Sequence, residues 1–420
     1  MFDDAHIFTS LRRMLSSIGR FAADSPALMV AAGAAAAVGF RAVSASIGSD
    51  EAAANAPLWG VDFGAIGLAG LAALSFVCGA QVRVRRFHRR CPISFRLAVA
   101  GAPLYLVACA LSAYVMLPQL TLTAAFVLGV VLMLNGAAFD RGAVKKTRAP
   151  AAGKTAVRME SAAVIAFGAP IASLAAAAAA TPSLAGPGGL AALGEAGLSV
   201  VKGFGLGGGA GLSAALVLNA VLRPAGGRDE NAALWRKASA FVAFAGVLAF
   251  LAAPAIGADQ IVAAASAGLL WGEQTAGGVA ARLALRRLAE RAVIPLAYLG
   301  LGWLAVDGLV QADLLAVVFA LTAVGALRIA TRLAVLQPAR LDRESKIFLA
   351  WYGGAPGAAS ALFLMALTGR PALADADAVI AVGVLAVAAG VFAARLTSQP
   401  VLRNYLREAA RAERRRRLAA

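Results

Sequence analysis

Apolar residues come in long blocks along the chain, separated by short polar or charged segments. Most blocks hold about 17–23 residues with few or no charges, the length that an α-helix needs to cross roughly 30 Å of hydrocarbon, and the eighth is short, as a tilted or partly buried helix would be. The pattern predicts an all-α polytopic membrane protein with about twelve transmembrane helices. The expected spans are 26–45, 63–80, 95–117, 120–138, 160–180, 200–222, 238–254, 258–272, 292–306, 312–334, 346–368 and 377–397.

Composition supports this interpretation. Hydrophobic residues make up 60% of the chain and charged residues 15%, with a mean hydropathy of +0.77. A soluble domain carries roughly 25% charged residues, so the apolar excess is larger than a buried core requires. The frequent glycine and alanine residues suit close packing of helices in lipid.

The positions of the basic residues predict the topology. The net charge is +17, and 34 of the 39 Lys and Arg residues fall on one side if the spans alternate from a cytoplasmic N-terminus. This asymmetry is typical of cytoplasmic loops, so both termini are expected to be cytoplasmic. The expected divisions are a cytoplasmic segment 1–24, a membrane domain 25–398 and a basic tail 399–420.

The basic tail is expected to be a solvated cytoplasmic helix, with contact to anionic lipid as the alternative. No nucleic-acid recognition module accompanies it, so nucleic acid is not an expected partner. Residues 278–291 are expected to form an amphipathic helix at the inner membrane surface.

No pattern typical of an enzyme, a metal site or a cofactor site is found. The three cysteines and two histidines have no metal-ligand spacing,. The glycines between Gly203 and Gly209 follow no strand and precede no Lys-Ser/Thr, so packing is favoured over phosphate binding.

Two of the expected spans are interrupted. The fourth contains Leu134-Asn135-Gly136, and the eleventh contains Gly353, Gly354 and Pro356 within the segment 352–357. Paired broken helices in opposite halves of a membrane protein indicate a transport site, because unwound backbone can face an ion. The alternative is ordinary glycine packing with a proline kink.

Charged residues inside spans are the other candidates. Arg328 and Arg332 lie four residues apart on one face of the tenth span, and they either face the protein interior or snorkel to the cytoplasmic interface. Glu160 and Ser161 open the fifth expected span, where a carboxylate either interacts favourably with the helix dipole or belongs to an ion pathway.

Several segments, taken in order, resemble the monovalent cation:proton antiporter family, which has the sodium/proton exchanger fold. The resemblance covers about residues 60–408. The matching segments are Leu74–Gly79 (family pattern LLFxAG), Met159-Glu160-Ser161 (GES), Glu290 with Ile294–Gly302 (E…PLLFVLLG), an arginine at Arg328 or Arg332, Glu344–Gly354 (ERLFLGWFG), and Leu396–Pro400 with Tyr405 (GLTxxPL…Y).

The resemblance implies an inverted-repeat fold with two broken, crossing helices, in a homodimer embedded in a bacterial inner membrane. Spans three to five and ten to twelve would form the mobile ion-binding core, and the others would form the dimerisation scaffold. The implied function is exchange of Na⁺ or K⁺ for protons. The candidate ion-pathway residues are Asn135, Gly136, Glu160, Ser161, Arg328, Arg332, Gly353, Gly354 and Pro356.

The sequence departs from the family at its ion-binding motifs. Asn135 stands where the family carries the aspartate of Thr-Asp-Pro, and Val164-Ile165 stand where it carries Asn-Asp or Asp-Asp. The segment that matches the family's GPRG lacks the arginine. Exchange needs a buried carboxylate for which proton and cation compete, and Glu160 is the nearest candidate. A non-transporting relative and a passive conductor of another solute are the alternatives.

Overall fold

The structure is a computed structural model that describes residues 25–46, 62–135, 151–179, 187–222, 228–275, 278–339, 341–352, 357–369 and 375–419. All regular elements within these ranges are helices. They are α1 (Pro26–Ser46), α2 (Phe63–Gln81), α3 (Val84–Arg90), α4 (Pro92–Arg96), α5 (Ala102–Met116), α6 (Leu122–Leu134), α7 (Ala151–Ala179), α8 (Pro187–Leu222), α9 (Arg228–Ala252), α10 (Gln260–Gln274), α11 (Val279–Arg291), α12 (Val293–Gln311), α13 (Leu314–Thr322), α14 (Arg328–Leu336), α15 (Arg343–Tyr352), α16 (Ala358–Thr368) and α17 (Ala376–Ala419).

A helix is found at each of the twelve expected spans. Within the described ranges, eight helices are long and apolar enough to cross a membrane, and shorter apolar helices cover Pro26–Arg41, Leu122–Leu134 and Ala358–Thr368. Helix α10 has only 15 residues, and most of them are buried among its neighbours. The amphipathic helix expected over 278–291 is α11, whose Leu285 and Ala289 face inward while Leu283 and Leu288 are exposed.

Some expected boundaries are wrong. Helix α7 begins at Ala151, so part of the expected connector 139–158 is helical, and Glu160 and Ser161 lie in the third turn. The helix-dipole alternative for Glu160 required a place in the first turn and is therefore wrong. The first residues of α7 are basic or small, so the hydropathy of the sequence does not indicate that the helix begins there. At the other end of the chain, α17 runs through Pro400 without interruption.

Two three-span units repeat the same order of elements. In the first, α4 and α5 are joined by a π-helical turn at Leu97–Gly101, the interrupted span with α6 follows, and α7 closes the unit. In the second, α13 and α14 are joined by a π turn at Ala323–Leu327, the interrupted span α15–α16 follows, and α17 closes the unit. A π turn frees backbone groups from the regular ladder and often marks functional positions.

Glycines let three parallel helices pack with their backbones in contact. On α8, Gly203, Gly207 and Gly211 lie on one face, and a Cβ added there would meet backbone atoms of Asp259, Ala263 and Ala267 respectively. The Ser266 hydroxyl donates to the Gly203 carbonyl across the same contact, at 3.2 Å. On α10, Gly268 and Gly272 make equivalent close approaches to α2. The packing interpretation of the glycines near Gly203 is therefore confirmed, and small-residue contact holds α2, α8 and α10 together.

This contact predicts opposite effects for two glycines on the same helix. Gly207→Ala is expected to destabilise the protein by about 1–3 kcal/mol, because the new Cβ collides with the Ala263 carbonyl and the Ser266 hydroxyl oxygen,. Gly209→Ala is the matched control, since nothing lies within 4 Å of its added Cβ, and it should be neutral or stabilising by up to about 1 kcal/mol. Unfolding in detergent, followed by circular dichroism, measures both. Equal effects of the two variants would contradict the packing argument.

Candidate functional site

The two interrupted spans meet at their breaks. Helix α6 ends at Leu134, and Asn135 caps it with φ −62° and ψ −17°. Helix α16 begins after Gly357, whose ψ of 73° is not helical. The Gly357 backbone N–H donates to Asn135 Oδ1 at 3.2 Å, so the breaks predicted from the sequence lie in contact.

Uncharged groups hold this crossing together. The Ser360 hydroxyl, in the first turn of α16, donates to the Val131 carbonyl at 2.6 Å. Asn135 is 1% exposed, and its Nδ2 has no hydrogen-bond partner among the described residues. On the side of α17, a Cβ added to Gly390 would lie 3.1 Å from that nitrogen. The described part of the crossing therefore offers an amide, a hydroxyl and backbone groups.

Helix α7 packs beside the crossing, and the residues that it places there are apolar. Gly168 lies against Leu134 and Met133, since a Cβ added to it would be 3.1 Å from each side chain. Val164 and Ile165, on the same helix, are both buried. Glu160 lies eight residues earlier on α7, which is about 12 Å along the helix axis from Gly168.

Glu160 and Arg332 form a buried ion pair away from the crossing. Arg332 Nη2 donates to Glu160 Oε2 at 2.8 Å and to the Leu349 carbonyl at 3.0 Å. Nη1 lies 2.6 Å from Oε1, with side-chain exposures of 8% for Arg332 and 1% for Glu160, although this second contact is not aligned as a hydrogen bond. The pair therefore joins α7, α14 and α15. Buried charges of this kind are tolerated when they are paired and hydrogen-bonded.

Arg328 lies one helical turn before Arg332 and is 4% exposed. Its ionisable neighbours are Arg332, Tyr105, Glu160 and Cys109. The Tyr105 hydroxyl donates to the Ala323 carbonyl at 3.1 Å, inside the π turn that precedes Arg328. Both arginines thus face the interior of the bundle, and the snorkelling alternative is wrong.

An aromatic cluster closes the end of the bundle nearest this ion pair. The rings of Phe348 and Tyr405 stack with centroids 4.3 Å apart, and Leu402 packs with them. The Trp351 indole N–H donates to the Thr397 hydroxyl at 2.7 Å. Helix α17 is thereby fixed against α15, the helix whose Leu349 carbonyl binds Arg332.

The structure brings some of the candidate residues together and separates others. Asn135 contacts the second break, while Glu160 joins Arg332 beside Arg328. Ser161 donates to the Val157 carbonyl of its own helix at 2.9 Å. Gly136, Gly353, Gly354 and Pro356 lie outside the described residues. Sequence reasoning missed Tyr105 and Ser360, although a tyrosine within an apolar span and a serine just after a break are visible signals.

The described residues contain no group of three or more His, Cys, Asp or Glu side chains that could hold a metal ion. Within the described residues, Glu160 is the carboxylate that lies beside the two buried arginines.

An all-helical membrane bundle with two broken helices that cross at their breaks defines a secondary-transporter fold. A family model described as "Sodium/hydrogen exchanger, transmembrane" matches residues 8–402. The chain belongs to this sodium/hydrogen exchanger family of cation:proton antiporters, and the resemblance drawn from its motifs is confirmed.

Solved structures support the same fold. The chain is similar to the sodium proton antiporter MjNhaP1 from Methanocaldococcus jannaschii at pH 8, with a TM-score of 0.55 and 13% identity over 80% of this chain and 84% of that one. An electron-microscopy map of the same antiporter gives a TM-score of 0.53 and 16% identity over 80% and 83% of the two chains. A comparison with curated protein sequences gave no match.

Proposed function

We propose that the protein is a secondary active transporter that exchanges Na⁺ or K⁺ for protons across a bacterial inner membrane. One observation carries the proposal within this family: the transmembrane helix that passes the crossing, α7, holds a carboxylate, Glu160, fully buried in the bundle. Exchange requires a group that binds either a proton or a cation, and a buried carboxylate meets that requirement.

The chemistry follows from competition for the Glu160 oxygens. The carboxylate is paired with Arg332, protonated, or bound to a monovalent cation, and each partner excludes the others from the same two oxygens. A cation must displace the Arg332 guanidinium, which keeps its contact with the Leu349 carbonyl. Asn135 Oδ1 would serve as a neutral ligand along the path. The two three-span units would then move against the remaining helices of a homodimer. This movement would change the side of the membrane from which Glu160 is accessible.

A second candidate is a non-transporting member of the family that acts as a membrane partner or regulator. The residues at the crossing favour it, because Asn135, Val164 and Ile165 cannot titrate. The pairing of Glu160 with Arg332 favours it too, since a permanently paired carboxylate is structural. The two candidates differ in one measurable property, which is cation-evoked proton movement.

Proteoliposomes that enclose a pH-sensitive dye test the proposal. Addition of Na⁺, K⁺ and Li⁺ in turn to protein reconstituted at low density should give alkaline-going signals for the transported cation, and none in protein-free liposomes. A monodisperse gel-filtration profile and a helical circular-dichroism spectrum would show that the protein is folded. A flat response to all three cations from such protein would overturn the exchange proposal in favour of the second candidate.

Native Cys91 reports the orientation expected from the positive-inside pattern. Cys78 and Cys109 are buried, whereas Cys91 is partly exposed at the end of the arginine-rich helix α3. A membrane-impermeant maleimide should label inside-out vesicles but not right-side-out spheroplasts, and Cys91→Ser should abolish the label. Partial burial raises the pKa of the Cys91 thiol, and the thiolate is the reactive form, so labelling should accelerate as the pH rises. Labelling of spheroplasts instead would reverse the proposed topology.

A further inference from the structure

Two buried guanidinium groups on neighbouring turns of α14 each have a nitrogen that donates no hydrogen bond to another described residue. Arg328 Nη2 and Arg332 Nε are both inaccessible to solvent and have no hydrogen-bond partner among the described residues. The two residues are four apart on one helix face, which places their Cβ atoms about 5–6 Å from each other. Arg332 is also among the charged neighbours of Arg328. Two cationic donors therefore lie side by side in the interior.

The charges of this cluster do not balance within the described residues. Glu160 supplies one negative charge, and its hydrogen bond and its closest ionic contact are both with Arg332. Arg328 supplies a second positive charge, and its other ionisable neighbours, Tyr105 and Cys109, are neutral at physiological pH. A buried charge without a counter-charge is strongly unfavourable, and a guanidinium group does not lose its proton in proteins.

We propose that the Arg328–Arg332 pair binds one small inorganic anion of the size and charge of chloride. A monovalent anion would neutralise the excess charge and accept hydrogen bonds from both unused N–H groups. The burial of the site favours a free anion over a lipid phosphate, because Arg328 is 4% and Arg332 is 7% exposed. The site does not depend on cation exchange, and it would be present in a transporting or a non-transporting protein.

Equilibrium dialysis of the purified full-length chain against radioactive chloride tests the site. Chloride replaces gluconate at constant Na⁺ concentration and constant ionic strength. Saturable binding of one chloride per chain is expected, and Arg328→Gln should weaken it at least tenfold. Arg328→Lys, which keeps the charge, should weaken it less. Arg403→Gln, which removes an exposed arginine on α17, is the matched control and should bind as the wild type does.

Thermal unfolding provides a second readout that does not need counting of ions. Chloride should raise the unfolding midpoint of the wild type in a saturable manner, because it binds the folded state only, and this shift should vanish in Arg328→Gln. Absence of saturable chloride binding, or equal binding by wild type and Arg328→Gln, would overturn the proposal. The proposal would also be overturned if the Asp140→Asn variant alone bound chloride. The counter-charge of Arg328 would then come from Asp140, in the segment 136–150, which lies outside the described residues.

Discussion

Glu160→Gln is expected to reduce cation-evoked proton movement in proteoliposomes to the rate of protein-free liposomes. The substitution keeps the size of the side chain and one acceptor oxygen for Arg332, but it removes the group for which proton and cation compete. Glu160 is 1% exposed and hydrogen-bonded to Arg332, so the substitution changes a group in the interior of the bundle. The dye assay with the preferred cation measures the rate.

Glu195→Gln is the matched control for this prediction. Glu195 is an exposed carboxylate on α8, outside both three-span units, and its removal should leave the exchange rate within experimental scatter of the wild type. Folding of both variants is checked by gel filtration. Full exchange by a folded Glu160→Gln protein would show that another group carries the proton, and it would remove the main physical support for placing the site at α7.

The positions of the spans could be predicted because lipid imposes one simple demand, an apolar helix of sufficient length. Hydropathy does not predict the boundary of a helix that continues beyond the hydrocarbon into the polar interface. Helix α7 starts at Ala151 although Lys154 and Arg158 lie near its beginning, and hydropathy places the boundary nearly ten residues later. The helix-dipole interpretation of Glu160 depends on the later boundary and is therefore wrong.

The two breaks could be predicted because asparagine, glycine and proline interrupt otherwise uniform apolar spans. Their contact could not be derived from the spans alone. It depends on the antiparallel placement of α6 and α16, which brings Gly357 to Asn135 and Ser360 to Val131. The family resemblance supplied this crossing as an expectation, since long-range pairing leaves no local pattern in a single sequence.

The choice of partner for Glu160 was also invisible in the sequence. Arg328 and Arg332 share a helix face, so periodicity treats them as equivalent. The structure separates them, because only Arg332 reaches both the Glu160 carboxylate and the Leu349 carbonyl. This asymmetry has a direct consequence for stability.

Arg332→Met is expected to destabilise the protein by about 3–5 kcal/mol, because it leaves the buried Glu160 carboxylate without its hydrogen-bonded partner. It also frees the Leu349 carbonyl, which accepts from the same nitrogen at 3.0 Å. Addition of Glu160→Leu should recover most of the loss, since replacing both members of a buried pair by apolar groups is often nearly neutral. Unfolding by SDS, followed by circular dichroism, measures the three variants and their coupling.

Arg328→Met is the matched comparison, one turn away on the same helix. Both single variants remove one positive charge from the cluster, so an argument from net charge alone predicts equal effects. The geometry predicts otherwise, because Arg328 makes no hydrogen bond through its buried Nη2 within the described residues and its removal leaves the Glu160–Arg332 pair intact. Arg328→Met should therefore be as stable as the wild type or more so. If it proved as damaging as Arg332→Met, the two arginines would have to share the Glu160 charge, and the pair could not be assigned to Arg332 alone.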